Sequence, residues 1–273
     1  MLRLKAYAKI NLSLKIFGLR PDGYHSLESI MQSVSLHDVI TLEPISSGIQ
    51  LATNNLKLPV NNRNLAYQAA ELFMNTEHRA RSTELRGVKI YIEKNIPLAS
   101  GLAGGSADAA AVLYGLNQLT NPESRSTIHD LQELGSQIGS DVPFCLLGGN
   151  CTVRGRGEVV TRNPIHVSRS YVLVIPDVEV STKWAYEAFD LSAKMPTNND
   201  LEPVVIAKYP VIGEVKQKLL ELGCSSAQMS GSGSSVFGVV GTTALGEKIV
   251  AELKKEFPRT YLARSVDHGV EAS

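Results

Sequence analysis

Residues 97–113, PLASGLAGGSADAAAVL, pass from a proline through three glycines into an alanine-rich run. The chemistry such a stretch offers first is the holding of an anion on bare backbone. Gly101, Gly104 and Gly105 permit positive φ and let another molecule approach the main chain. Ala109, Val112, Leu113 and Leu116 then recur at the spacing of one buried helical face, which predicts a helix beginning near Ser106. The first turn of a helix leaves N–H groups without partners and carries about half a positive charge, so a phosphate fits there. Read alone, the glycines equally make a tight turn and Ser106 equally caps the helix. The run matches neither G-x-x-x-x-G-K-[ST] nor G-x-G-x-x-G, so a phosphate site here implies a different architecture.

The elements that would position this loop can be read from periodicity. From Leu2 to Ile16 apolar residues alternate with Arg3, Lys5, Lys9, Asn11, Ser13 and Lys15, which predicts a strand with one buried and one wet face and sets Lys9 and Asn11 on the same side. GLRPDGY, residues 18–24, is a turn. Strands are predicted around 39–42 and 88–92, with a helix starting near Asn64 that buries Ala66, Ala69, Ala70 and Phe73. A helix over 128–138 ends at Gly139 and is followed by GSDVPFCLLGGN, read as a turn and an apolar segment. Glycines and arginines gather at 148–160, and a boundary between two lobes is placed near residue 155. Beyond it come a strand at 171–176, a helix at 211–222 closed by Gly223, a strand–turn–strand in QMSGSGSSVFGVV and a helix at 245–257 stopped by Pro258.

Composition narrows the class. Lysine plus arginine and aspartate plus glutamate both total 27, and 43% of the 273 residues are hydrophobic, an ordinary globular balance that advertises no nucleic-acid or membrane partner. No apolar run is long enough to cross a bilayer, and the expectation is a cytoplasmic protein. Three cysteines, Cys145, Cys151 and Cys224, show no CxxC spacing and read as buried thiols.

Three separated stretches, KAYAKINLSLKI, PLASGLAGGSADAAAVL and QMSGSGSSVFGVV, resemble in order and content the three motifs of the GHMP small-molecule kinases, the superfamily of galactokinase, homoserine kinase and the mevalonate kinases. RPDGYHSLESIMQSV and GSDVPFCLLGGN resemble the branch whose acceptor alcohol is carried on a cytidine diphosphate group. The resemblance implies an α+β, two-lobed GHMP kinase fold: an ATP-binding domain over 1–155, ribosomal protein S5 domain 2-like, and a substrate-binding, ferredoxin-like domain over 156–273. It also implies ATP and Mg²⁺.

Residue by residue, the resemblance puts the catalytic pair on Asp141, as the base that takes the hydroxyl proton, and Lys9, as its electrostatic partner. Without it, Asp141 reads as a helix N-cap and Lys9 as one charge on a strand's wet face. Substrate contacts fall on Asn11, Tyr24, His25, Thr182 and Tyr186, with the aromatic rings stacking on cytosine. Nucleotide contacts fall on Asn64, Pro97, Ser100, Gly101, Leu102, Ala103, Gly104, Gly105, Ser106 and Asp108, with Ser106 near the metal and Asn64 and Asp108 toward adenosine. Asp108 departs from an asparagine found in some relatives, and its other reading is a favourable charge in the first helical turn. No second carboxylate stands out as a metal ligand. Ser230 to Ser234 shape the floor between lobes, or form a hairpin without a ligand. The transfer is expected to be direct, in a monomer. A homoserine- or mevalonate-type kinase and a catalytically silent ligand sensor on the same fold stay open as alternatives.

Overall fold

The computed structural model describes residues 1–75, 85–120, 123, 125–164, 168–192 and 197–273. Two long antiparallel strands, β1 (Leu2–Leu19) and β2 (His25–Ile45), form its spine, joined by the PDG turn in which Gly23 takes φ 81°. β2 is shared along its length: Val39–Ile45 pairs with β4 (Gly87–Glu93) and Leu27–Gln32 with β5 (Asn150–Gly155). β3 (Gly48–Thr53) lies parallel to β4, β6 (Val159–Arg162) pairs with β5, and β11 (Val270–Ala272) returns to β1.

Helix α1 (Leu65–Asn75) buries Ala66, Ala69, Ala70 and Phe73, as the spacing predicts. Helix α2 (Gly104–Leu119) is buried nearly all round, and a Cβ at Gly115 would lie 2.4 Å from Leu42 and 2.7 Å from Leu4. That glycine sets how closely the helix rests on β1 and β2. α3 (Ile128–Ser136) starts from a capping box between Thr127 and Asp130. The turn expected in GSDVPFCLLGGN falls at residues 140–141, and the apolar segment after it is helical: Pro143, preset for a first helical turn, opens the short helix α4 (Val142–Leu147).

The second lobe runs β7 (Ser170–Val174), α5 (Thr182–Asp190), α6 (Glu202–Lys208), α7 (Pro210–Glu221), β8 (Ser226–Met229), β9 (Val236–Val240), α8 (Thr243–Leu253) and β10 (Thr260–Arg264). Its antiparallel sheet has the order β10-β7-β9-β8, the split βαβ arrangement of ferredoxin-like domains. β7 is buried on both faces: Tyr171 and Leu173 join the core around α2, while Val172 and Val174 join the core under α7 and α8. β1 likewise serves both cores, giving Ala6, Ala8 and Ile10 to the first and Leu14 and Ile16 to the second.

One expectation for β1 changes. The polar face predicted to be wet is wet only toward its ends, for Lys9 is 4% and Asn11 2% exposed. A period of two reports which residues share a face, and the glycine-rich segment before α2 and the second lobe cover that face here. Lys9 N–H donates to the Leu102 carbonyl at 3.1 Å, and the Asn11 N–H donates to Ser230 Oγ at 3.2 Å.

Candidate active site

The glycine loop differs in detail from its sequence reading. Its left-handed residues are Ala99, Gly101 and Ala103, at φ 52°, 77° and 57°, whereas Gly104 and Gly105 already belong to α2. The helix therefore begins two residues before Ser106, and Ala103 at its N-cap supplies no side-chain hydrogen bond. The first amides of a 16-residue helix are left to whatever enters the loop. Gly104 is needed for space, since a Cβ there would meet Ile96 and the Lys94 ammonium at 3.0 Å. Gly101 is needed twice over: its φ is positive, and a Cβ would meet the carbonyls of Ser230 and Gly233 at 2.7 Å. The GSGSS turn between β8 and β9 thus backs the loop, and Ser235 N–H donates to the Ser100 carbonyl at 3.1 Å.

Lys9 Nζ stands at the meeting point of the three motifs. It donates to Asn11 Oδ1 at 2.8 Å and to the Gly101 carbonyl at 3.1 Å, and it faces Asp141 Oδ2 at 3.4 Å. Asp141 occupies the N-cap position of α4 but makes no side-chain cap bond, so its half-buried carboxylate is turned to Lys9 and not spent on the helix. Both line a cleft of about 910 Å³ between the lobes, together with Pro97, Ser100, Gly101, Ala103 and Gly104 to Ser106 from the loop.

The opposite wall comes from α5 and the start of β2. Thr182, Tyr186 and Asp190 follow at intervals of four and share a helical face. His25 Nε2 lies 2.8 Å from Asp190 Oδ1, and its ring sits 5.2 Å from that of Tyr186 at an interplanar angle of 30°. Burial, reinforced by the nearby Asp141 charge, pushes the Tyr186 hydroxyl up to about 12, so it remains a donor near neutral pH. Thr182 and Ser232 hydroxyls are 2.9 Å apart, and Tyr24 lines the outer edge. On the far side of α5, Trp184 meets Tyr209 edge-on, with the Lys208 ammonium 3.9 Å above its ring.

Three of the expected nucleotide residues lie off the cleft lining. Leu102 is in the first core. Asn64 caps α1, accepting from Ala66 N–H at 2.9 Å and donating to the Pro59 carbonyl at 2.8 Å. Asp108 is 1% exposed, beyond the first turn of α2, and accepts from Lys94 Nζ at 2.6 Å. Lys94 donates equally to Asp38 Oδ2 at 2.6 Å, and the other Asp38 oxygen accepts the N–H groups of Asn95 and Ile96. Burial works against the Lys94 ammonium, but the two carboxylates outweigh it and its pKa is raised. Burial raises Asp108 well above the usual carboxylate range against the pull of Lys94, and Asp108 Oδ1 has no hydrogen-bond partner. Among the described residues no group of three or more His, Cys, Asp or Glu is placed to hold a metal.

Residues 64–149 match the family model of the GHMP kinases N terminal domain, and residues 184–259 that of the GHMP kinases C terminal. The 4-diphosphocytidyl-2-C-methyl-D-erythritol kinase of Clostridium acetobutylicum is 39% identical across 97% of this chain and 100% of its own. The chain belongs to the GHMP kinases. Within that family it is also similar to the 4-diphosphocytidyl-2-C-methyl-D-erythritol kinase of Syntrophomonas wolfei subsp. wolfei, 43% identical over 86% of this chain and 88% of that one. A crystal structure of 4-(cytidine 5'-diphospho)-2C-methyl-D-erythritol kinase superposes with TM-score 0.82 at 31% identity, covering 97% of this chain and 99% of that one. A homoserine kinase from Cytophaga hutchinsonii, 20% identical with TM-score 0.76, shares the fold. This GHMP kinase is an ATP-dependent small-molecule kinase with the two-lobed α+β fold of its family. Sequence reasoning missed Asp190, Lys94 and Asp38 in it; only the fourfold spacing of Thr182, Tyr186 and Asp190 offered a signal, once α5 is known to be a helix.

Proposed function

We propose that the protein transfers the γ-phosphoryl group of ATP to the 2-hydroxyl of 4-diphosphocytidyl-2-C-methyl-D-erythritol, as a step of non-mevalonate isoprenoid precursor synthesis. The observation that carries the mechanism is the Asp141 carboxylate, released from helix capping and 3.4 Å from Lys9 on the cleft floor. Asp141 takes the proton of the attacking hydroxyl as the oxygen–phosphorus bond forms and the bond to ADP breaks. Lys9, held by Asn11 and the Gly101 carbonyl, orients that carboxylate and stabilises charge on the acceptor oxygen. The transfer is direct, with no phosphoenzyme.

The uncapped amides of α2 and the loop from Pro97 to Ser106 hold the phosphates; Asn64, capping α1, and Asp108, paired with Lys94, lie behind that loop and brace it without reaching the nucleotide. Ser106 would offer a hydroxyl to a Mg²⁺ carried in on the nucleotide, and that ion would supply neutralisation of phosphate charge. Tyr24, His25 and Tyr186 hold the cytosine, with Asn11 and Thr182 as polar contacts. The protein acts as a cytoplasmic monomer, so sedimentation should give one species near 29.5 kDa.

The test is transfer from [γ-³²P]ATP with Mg²⁺, offering the diphosphocytidyl alcohol, homoserine and mevalonate in parallel. Label is expected on the first alone, and Asp141→Ala should lower kcat by about 10²–10⁴ while ATP binding persists. Label on another alcohol would reject the substrate; folded, ATP-binding protein that labels nothing would point to a ligand sensor.

A further inference from the structure

We propose that Arg156 is the residue that recognises the diphosphate of the substrate and makes this cleft prefer a diphosphocytidyl alcohol over the bare alcohol. This rests on the substrate reading above. Four lysine or arginine side chains line the cleft: Lys9, Lys94, Arg156 and Lys183. Lys9 faces Asp141 at 3.4 Å, Lys94 is clamped between Asp38 and Asp108 at 2.6 Å, and Lys183 faces Glu187 at 3.9 Å. Among the described residues Arg156 alone of the four is held in no ion pair with a carboxylate, its charge reaching Asp22 only at longer range. A diphosphate carries roughly two negative charges into this space, and the cleft needs a cation that is not already neutralised to receive them.

The backbone holds Arg156 in place. It sits at the tip of the β5–β6 hairpin between Gly155 and Gly157, both at positive φ (75° and 125°). A Cβ on Gly157 would lie 2.9 Å from the Ser140 carbonyl, so the tip is pressed against the residue preceding Asp141. Glu158 accepts the Arg156 backbone N–H at 2.6 Å and leaves the guanidinium free of it. The guanidinium carbon stands 5.5 Å from the Tyr24 ring centroid, and one Nη donates to the Ser136 carbonyl at 3.3 Å. Set over the ring assigned to cytosine, with most of its five donors uncommitted, this planar cation is suited to bidentate phosphate contact. A lysine in its place would keep the charge and lose the fork.

The experiment is calorimetric titration of wild type, Arg156→Gln and Arg156→Lys with cytidine, CMP and CDP, the nucleotide site being filled with a non-hydrolysable ATP analogue. Arg156→Gln should weaken CDP at least tenfold, CMP less, and cytidine by under twofold, with Arg156→Lys between; KM for the diphosphocytidyl alcohol should rise in step while KM for ATP holds. Equal weakening of cytidine and CDP would mean that Arg156 only props Tyr24, and unchanged CDP affinity would mean that it does nothing for the diphosphate; either overturns the assignment. Wild type that binds none of the three fails at the cytidine reading itself and takes this inference with it. Retained affinity for the ATP analogue shows that each variant is folded.

Discussion

At the scale of single residues, the most consequential feature outside the reacting pair is one ammonium shared by two buried carboxylates. Removing Lys94 leaves Asp38 and Asp108 uncompensated, and Lys94→Met should cost about 3–5 kcal/mol of stability in denaturant unfolding. Asp108→Asn should cost far less, because it relieves the like charge facing Asp38. The sign of the pH effect follows from the raised pKa of Asp108. The folded protein binds this proton more tightly than the unfolded chain does, so the contribution is full below the ordinary aspartate value of about 4 and is lost as pH climbs toward the raised value. The melting temperature of wild type relative to Asp108→Asn should therefore fall from about pH 4 toward neutrality; a flat difference would contradict the raised pKa. None of this was legible in the sequence. A lysine in EKNIP reads as solvated, and its partners lie 56 and 14 residues away. Lys9 and Asp141 were legible only through motif resemblance, since a lone strand lysine and a helix-capping aspartate are ordinary features.

At the scale of elements, the pieces with a strong local signal were the readable ones. β1 announces itself by a period of two, α1 by its alanine face and α2 by its apolar stripe, because each buries one side against a single neighbour. α4 was read only as an apolar segment after a turn because six residues around a proline carry too little periodicity, and α5 went unread although it forms a wall of the cleft. The loop before α2 shows another limit: the sequence marks glycines, yet two of its three left-handed positions are alanines, in a loop whose Ser100 and Gly101 meet the other lobe. Gly101→Ala puts this packing to the test. The new methyl would press on the carbonyls of Ser230 and Gly233 at 2.7 Å, displacing the cradle while leaving Asp141 in place. Its kcat/KM for ATP should fall at least tenfold, about 1.4 kcal/mol, through a raised KM. An unchanged KM would show that the loop tolerates separation from the turn.

At the scale of the whole molecule, the two cores are not independent. β1 supplies both, and alternate residues of β7 enter one and then the other. Neither lobe can lose its sheet without exposing apolar surface of the other, so calorimetry should show one cooperative transition with matching calorimetric and van't Hoff enthalpies; two separated transitions would mean that the shared strands couple the lobes weakly. A ligand spanning the cleft should raise that single transition by mass action. The organisation around the cleft also equips the protein with a reporter. Thr182, Tyr186 and Asp190 look into the cleft from one face of α5, and Trp184, on the far face between Tyr209 and the Lys208 ammonium, is the single tryptophan of the chain. A ligand that shifts α5 must shift the indole against a quenching cation, so intrinsic fluorescence excited at the red edge of the tyrosine band can follow occupancy of that wall in real time, without a dye or a coupled assay.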